Sequence, residues 1–324
     1  MRKRRSSAIK RICAVALLVS VVFAFAGCSE RSEEPQTEKK IVFTDGLGRE
    51  VKLEKRPERV AALLGSFAEV WTLSGGTLCA AAEDAWSDFG LDLGDAVNIG
   101  GAHSPSVEKL LSADPDFVLA GVYSASNTDM KDTLEQAGIA VAYFDVTCFE
   151  DYLSMLGLCT DITGRKDLYE KNGTEIGERI DAVKNRLAAA DIPESERSVL
   201  FLRATSGSVK VKGSEGTVLG EMLRDLGFVN IADSDNTLLE NLNAESVIRR
   251  NPYRIFAVTM GDDTVKATEN LNKLLEENPA WGSLDAVADG RVYVMDKKLF
   301  GTKPNARWAD AYEQLAEILL DKTE

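Results

Sequence analysis

His103 is the only histidine in 324 residues. A lone imidazole excludes the HExxH helix and the multi-histidine zinc sites, and it leaves bare zinc or manganese without a converging donor set. The GxSxG elbow and the GxxxxGK[ST] phosphate loop are both absent, and Gly46-Leu47-Gly48 lacks the third glycine of a dinucleotide fingerprint. No nucleophile stands against a base, so neither catalysis nor a resident cofactor is expected. Beyond Cys28 and the N-terminal segment only Cys79, Cys148 and Cys159 remain, an odd number without CxxC spacing, which implies no disulfide framework and no zinc site. Cys148 and Cys159 leave room for one disulfide; buried free thiols are the simpler reading. Positive charge is also scarce, 38 Lys and Arg against 52 Asp and Glu. Phosphate would be repelled, so no nucleic acid partner is expected.

What the chain does have begins with Arg2, Lys3, Arg4, Arg5, Lys10 and Arg11, then an apolar run over 12–26 that is too short to span a bilayer comfortably. Small residues and a cysteine close it, Phe25-Ala26-Gly27-Cys28, and "SERSEEPQTEKK" follows. That order makes residues 1–27 an export signal. Phe25-Ala26-Gly27-Cys28 resemble the lipobox of bacterial lipoproteins. The resemblance implies cleavage before Cys28, a diacylglycerol on its thiol, and a chain anchored to the outer face of the cytoplasmic membrane. Residues 1–27 hold six basic and no acidic residues, which leaves 32 against 52 and a mature charge of −20. Residues 28–40, polar and containing Pro35, read as a flexible tether.

From residue 41 the pattern is α/β. "IVFTDGLGREVKL" predicts a hairpin around Asp45-Gly46, and "RVAALL", "TLCAAA", "FVLAG" and "AVAYFD" predict strands separated by helices near 66–74, 106–113 and 128–137. "SVLFLRA", "GFVNIA", "RIFAVTM" and "RVYVMD" repeat the plan, with helices near 216–226, 243–250 and 264–277. Two Rossmann-like lobes with central parallel sheets follow, over 41–163 and 192–324. Between them, within 164–191, Leu168, Asn172, Ile176, Ile180, Val183 and Leu187 recur at helical spacing and predict one long helix of roughly 39 Å. Gly173 and Gly177 each weaken it by about 1 kcal/mol, so packing must hold it.

One phrase is written twice. "SVEKLLSADPDFVLA" at 106–120 is echoed by "AESVIRRNPYRIFA" at 244–257; with Glu108 set on Glu245, Pro115 falls on Pro252. Each reads as a helix stopped before a proline, with the preceding Asp114 or Asn251 biased toward extended geometry, and then a buried strand. Val107, Leu110 and Leu111 form one apolar face, as do Ala244, Val247 and Ile248, which leaves the glutamates toward solvent or the lobe rim.

These phrases, with "FTDGLGREVKLEKRPERVAALLGSFAEV", "NIGGAHSPSVEKLLSADPDFVLAG", "NPAWGSLDAVADGRVYVMD" and "RWADAYEQLAEIL", resemble the substrate-binding lipoproteins of ABC importers for iron(III) siderophores, heme and cobalamin. The resemblance covers nearly all the mature chain and implies the periplasmic binding protein fold with a helical backbone, in a monomer. It also implies that Glu108 and Glu245 dock on arginines of a permease dimer. Pro252-Tyr253 departs from the family, which often has aspartate after this proline. A plainer role for Glu245 is an i, i+4 pair with Arg249, worth about 0.2–0.5 kcal/mol.

Ligands of open α/β sheets bind beyond the carboxyl ends of the strands, here a cleft between lobes. That rule selects Ser66, Phe67, Trp86, His103 and Tyr123 from the first lobe, and Arg203, Met260, Lys297 and Lys298 from the second. Aromatic faces with basic groups suit a large planar or anionic chelate. In the siderophore branch that the sequence resembles, Arg203, Lys297 and Lys298 match basic positions that contact the ferric complex. Arg307 is a weaker candidate for the same contact, its plainer role being to cap the packing of the last helix, and Trp281 and Trp308 are expected to serve structure. An iron(III) siderophore is therefore the first expectation, with no direct protein ligand to the metal. Cobalamin or another corrinoid leaning on Trp86, Phe67 and Tyr123 comes second, and heme third. A ligand sensor would use the same cleft.

Overall fold

Strands Ile41–Thr44 (β1) and Glu50–Leu53 (β2) pair antiparallel and close through a loop that starts at Asp45. They belong to a computed structural model, which describes residues 40–240, 242–261 and 263–321; the export signal, Cys28 and all of the tether but Lys40 lie outside the described residues. The loop is held from within. Asp45 accepts from the Leu47 and Arg49 amides at 3.0 Å each, from the Arg49 side chain at 2.6 Å and from the Tyr143 amide at 3.3 Å.

Strands Val60–Ala62 (β3), Leu78–Ala81 (β4), Val97–Asn98 (β5), Phe117–Gly121 (β6) and Ala140–Phe144 (β7) form a parallel sheet in the order β5-β4-β3-β6-β7. Strands Ser198–Ala204 (β8), Val209–Lys212 (β9), Val229–Asn230 (β10), Arg254–Thr259 (β11) and Val292–Met295 (β12) form a second sheet, β10-β8-β11-β12. Its pairs are parallel except for β9, which runs antiparallel on the late half of β8. The strands β6 and β11 are near-continuous apolar runs, as a strand covered on both faces requires.

The repeated phrase occupies equivalent places. β6 pairs with β3 and β7 as β11 pairs with β8 and β12, and each follows a short helix, Val107–Ser112 or Ala244–Arg250. Each helix is capped by a side chain accepting from the third residue on: Ser106 from the Lys109 amide and Asn243 from the Ser246 amide. Pro115 and Pro252 are both buried.

Two expectations about this phrase are corrected. Asp114 and Asn251 are not extended but left-handed, with φ of 49° and 42°. Proline disfavours the right-handed helical region for the residue before it, and Asp and Asn accept the left-handed one more readily than most side chains, so the chain turns sharply there. Leu111 and Ile248 do not share the core face: they are 37% and 39% exposed, whereas Leu110 and Val247 are fully buried. A helix of six or seven residues meets the core along one narrow line, and a residue 100° away leaves it.

The predicted long helix forms over 166–189, but its register is interrupted. The α-helix Lys166–Tyr169 widens into a π turn at Glu170–Thr174 before Glu175–Ala189 resumes. It is preceded by Phe149–Thr163, a helix that ends at left-handed Gly164. The two glycines are packing devices here: a Cβ on Gly173 would meet Leu153 at 3.0 Å, and one on Gly177 would meet Phe149 at 3.4 Å. Ile176, Ile180, Val183 and Leu187 are buried as expected, within one apolar cluster that also holds Phe67 and Phe201. Cys79, Cys148 and Cys159 are free thiols, and Trp281 and Trp308 are core residues.

Candidate functional site

The carboxyl ends of the strands converge on a cavity of about 410 Å³. Leu64 follows β3, Tyr123, Ser124 and Ser126 follow β6, Phe144 ends β7, and Arg203 stands next to last on β8. Thr217 comes from the turn before the helix Val218–Asp225, and Thr302 and Lys303 from the segment after β12.

Two cations face this space. The side chains of Arg203 and Lys303 make no hydrogen bond or ion pair among the described residues, and the buried Nε of Arg203 has no acceptor. Burial holds both groups below their ordinary pKa values. The Lys303 ammonium lies 5.6 Å from the centroid of the Phe67 ring, and Phe67 meets Phe144 edge to face at 5.9 Å. Phe67 itself has no exposed surface. Tyr123 is 76% exposed and donates its hydroxyl to Asp145 at 3.1 Å, a contact that raises its pKa. Ser124 and Ser126 share a 2.9 Å hydrogen bond, and Thr217 donates to the Gly213 carbonyl at 2.9 Å. Among the described residues no three His, Cys, Asp or Glu side chains converge in a way that could hold a metal ion.

Of the residues selected from sequence, Phe67, His103, Tyr123 and Arg203 meet on the cavity wall. The other five stand elsewhere. Ser66 is buried in the helix Gly65–Leu73 and accepts from Asn305 through its carbonyl at 2.8 Å. Trp86 and Met260 are half-buried against the main apolar cluster. Lys297 pairs with Asp88 at 3.3 Å, and exposed Lys298 lines a second recess with Glu69 and Arg307 that shares Thr302 and Lys303 with the cavity. A π turn at Lys297–Gly301 carries the chain past both lysines, so that Lys303 supplies the basic group from this side. "KKLFGTKP" carried a signal for it: the loop after the strand runs on to Pro304, and its last lysine had equal claim. Arg307 is exposed and donates to Asp310 at 3.3 Å, at the start of the helix Trp308–Leu320.

Glu108 and Glu245 are exposed, and neither has a hydrogen-bonding or ionic partner among the described residues. The plainer role for Glu245 is not realised: Arg249 donates instead to the Ser246 hydroxyl at 3.2 Å.

Residues 60–299 match the family model described as periplasmic binding protein. The chain is 24% identical to the uncharacterized ABC transporter substrate-binding lipoprotein YvrC of Bacillus subtilis, over 95% of this chain and 96% of that one. It is 23% identical to the Fe(3+)-citrate-binding protein YfmC of the same organism, over 90% and 91%. Among solved structures, Staphylococcus aureus SirA complexed with staphyloferrin B superposes with a TM-score of 0.68 at 19% identity, over 88% of this chain and all of that one.

Proposed function

The chain belongs to the periplasmic binding protein family, whose members are ligand-binding transporter components, and on that premise we propose that it captures an iron(III)-siderophore complex and delivers it to its permease. At the coarser level it is the substrate-binding component of an ABC transporter for iron-siderophore, heme or B12-type ligands, extracytoplasmic and membrane-anchored like the lipoproteins it resembles. The iron is cargo. It would arrive with its own donor atoms, and the protein would read the outside of the chelate.

The observation that carries the choice of ligand is the pair of unpartnered cations, Arg203 and Lys303, on one cavity wall. A buried cation without a counterion is costly, and an anionic ligand removes that cost while gaining charge-assisted hydrogen bonds. A flat macrocycle needs open apolar faces, whereas Phe67 has no exposed surface and the Lys303 ammonium lies 5.6 Å from its ring centroid. The curated relative named for ferric citrate supports the same choice.

In this reading residues 41–163 and 192–324 are the two lobes and 164–191 the backbone between them. Residues 1–27 are the signal, Cys28 carries the lipid, 28–40 form the tether, and Glu108 and Glu245 dock on the permease dimer. Calorimetric titration with ferric citrate, a ferric catecholate, a ferric hydroxamate, hemin and cyanocobalamin tests the ligand class. We expect an anionic ferric chelate to bind, and Arg203→Met and Lys303→Met each to weaken it about tenfold or more, the scale of one charge-assisted contact. Binding of hemin or cyanocobalamin alone overturns the choice.

A further inference from the structure

Exposed aliphatic side chains scattered singly are ordinary on protein surfaces. Leu111 and Ile248 are not scattered: each stands three residues beyond the glutamate of its own copy of the phrase, one helical turn away on the same face. Both are more than a third exposed. Elsewhere on that face the copies differ, Ser112 in one and Arg249 in the other, so a charge and an aliphatic group at this spacing are what the two share.

We propose that each glutamate is one half of a two-part contact, and that Leu111 and Ile248 supply the apolar half by seating on the permease. This rests on the docking role of Glu108 and Glu245 proposed above. Two equivalent patches on one chain fit a partner that offers the same surface twice. The unpartnered carboxylates call for basic groups on that partner, and a small apolar recess beside each would desolvate the ion pair and slow dissociation. The charge then governs encounter and the aliphatic group residence time.

The test measures binding of the mature chain to its cognate permease in nanodiscs, across a salt series. Leu111→Ser/Ile248→Ser should weaken binding about tenfold or more, through faster dissociation, with the wild-type salt dependence kept and the unfolding midpoint unchanged. Leu111→Met/Ile248→Val should bind like wild type. Glu108→Ala/Glu245→Ala should weaken binding and flatten the salt dependence, because screening acts on the charges and not on the apolar contact. If the serine pair binds within twofold of wild type while the alanine pair fails, this inference falls and the docking role stands. If the alanine pair binds like wild type, the docking role itself falls.

Discussion

At Asp45 a side chain without exposed surface holds a hairpin loop to a strand almost a hundred residues away, through the Tyr143 amide. Burial pushes its carboxyl up, but the side chain and amide of Arg49 and the Tyr143 amide outweigh that and hold the pKa below that of an ordinary aspartate. Because the folded value is the lower one, the stabilisation is complete above the unfolded value and is lost as pH falls through the folded one. Asp45→Asn should cost about 2 kcal/mol near neutrality in urea unfolding, and the gap to wild type should narrow as the pH falls through the ordinary aspartate range and below it. A gap that does not change with pH would assign the cost to shape instead. The cavity cations obey the opposite logic: neither has an ion-pair partner among the described residues, burial lowers both pKa values, and the attraction of Asp145 and Asp84 for Lys303 offsets that only in part, as a site awaiting an anion requires.

Single elements owe their positions to close backbone approach. Gly65 opens the helix Gly65–Leu73 and donates its amide to the Asp84 carboxylate at 2.9 Å. A Cβ there would lie 2.5 Å from the Ala85 nitrogen and 2.6 Å from the Asp84 carbonyl carbon, both backbone atoms that cannot swing aside. Gly65→Ala should therefore destabilise by about 1–3 kcal/mol, read as a lower urea midpoint at unchanged slope, and should weaken ligand binding because Phe67 rides on the same helix. The π turn at Glu170–Thr174 lies where Gly173 meets the Leu153 side chain of the neighbouring helix. An extra residue per turn re-aims the buried stripe, with Asn172 donating to the Leu73 carbonyl at 3.0 Å on one side and Ile176 continuing the core on the other.

Across the whole molecule, the last segment of the chain returns to the first. Asn305, buried and left-handed at φ 48°, donates to the Ser66 carbonyl at 2.8 Å and to Glu69 at 2.7 Å. The helix Trp308–Leu320 then lies on Glu175–Ala189, with Arg179 bound to Asp310 and Glu313 at 2.8 Å each. Burial decides which of these long-range links matter. Asn305→Ala leaves the Glu69 carboxyl, itself raised in pKa by burial, short of its donor, and should cost about 2 kcal/mol. Lys297→Met breaks the half-exposed pair with Asp88 and should cost at most about 1 kcal/mol. Thermal unfolding of the two variants side by side checks the order; equal losses would contradict it.

Periodicity and turn chemistry were enough to read the alternation of strands and helices, the duplicated phrase and the family, because these depend on contacts within about ten residues or on runs that must be buried on both faces. That Phe67, His103, Tyr123 and Arg203 reach the cavity was legible for the same reason: each stands within a strand or in the first loop or helical turn after one, and sequence alone can locate the strand ends. Which lysine reaches the cavity was not legible, since the π turn at Lys297–Gly301 sets how far the loop travels. Nor was the exposure of Leu111 and Ile248, which depends on how each short helix is rolled against its sheet. Local pattern determined the elements and their order, whereas only tertiary packing decided which side chains were left without partners, and those are the ones that propose the function.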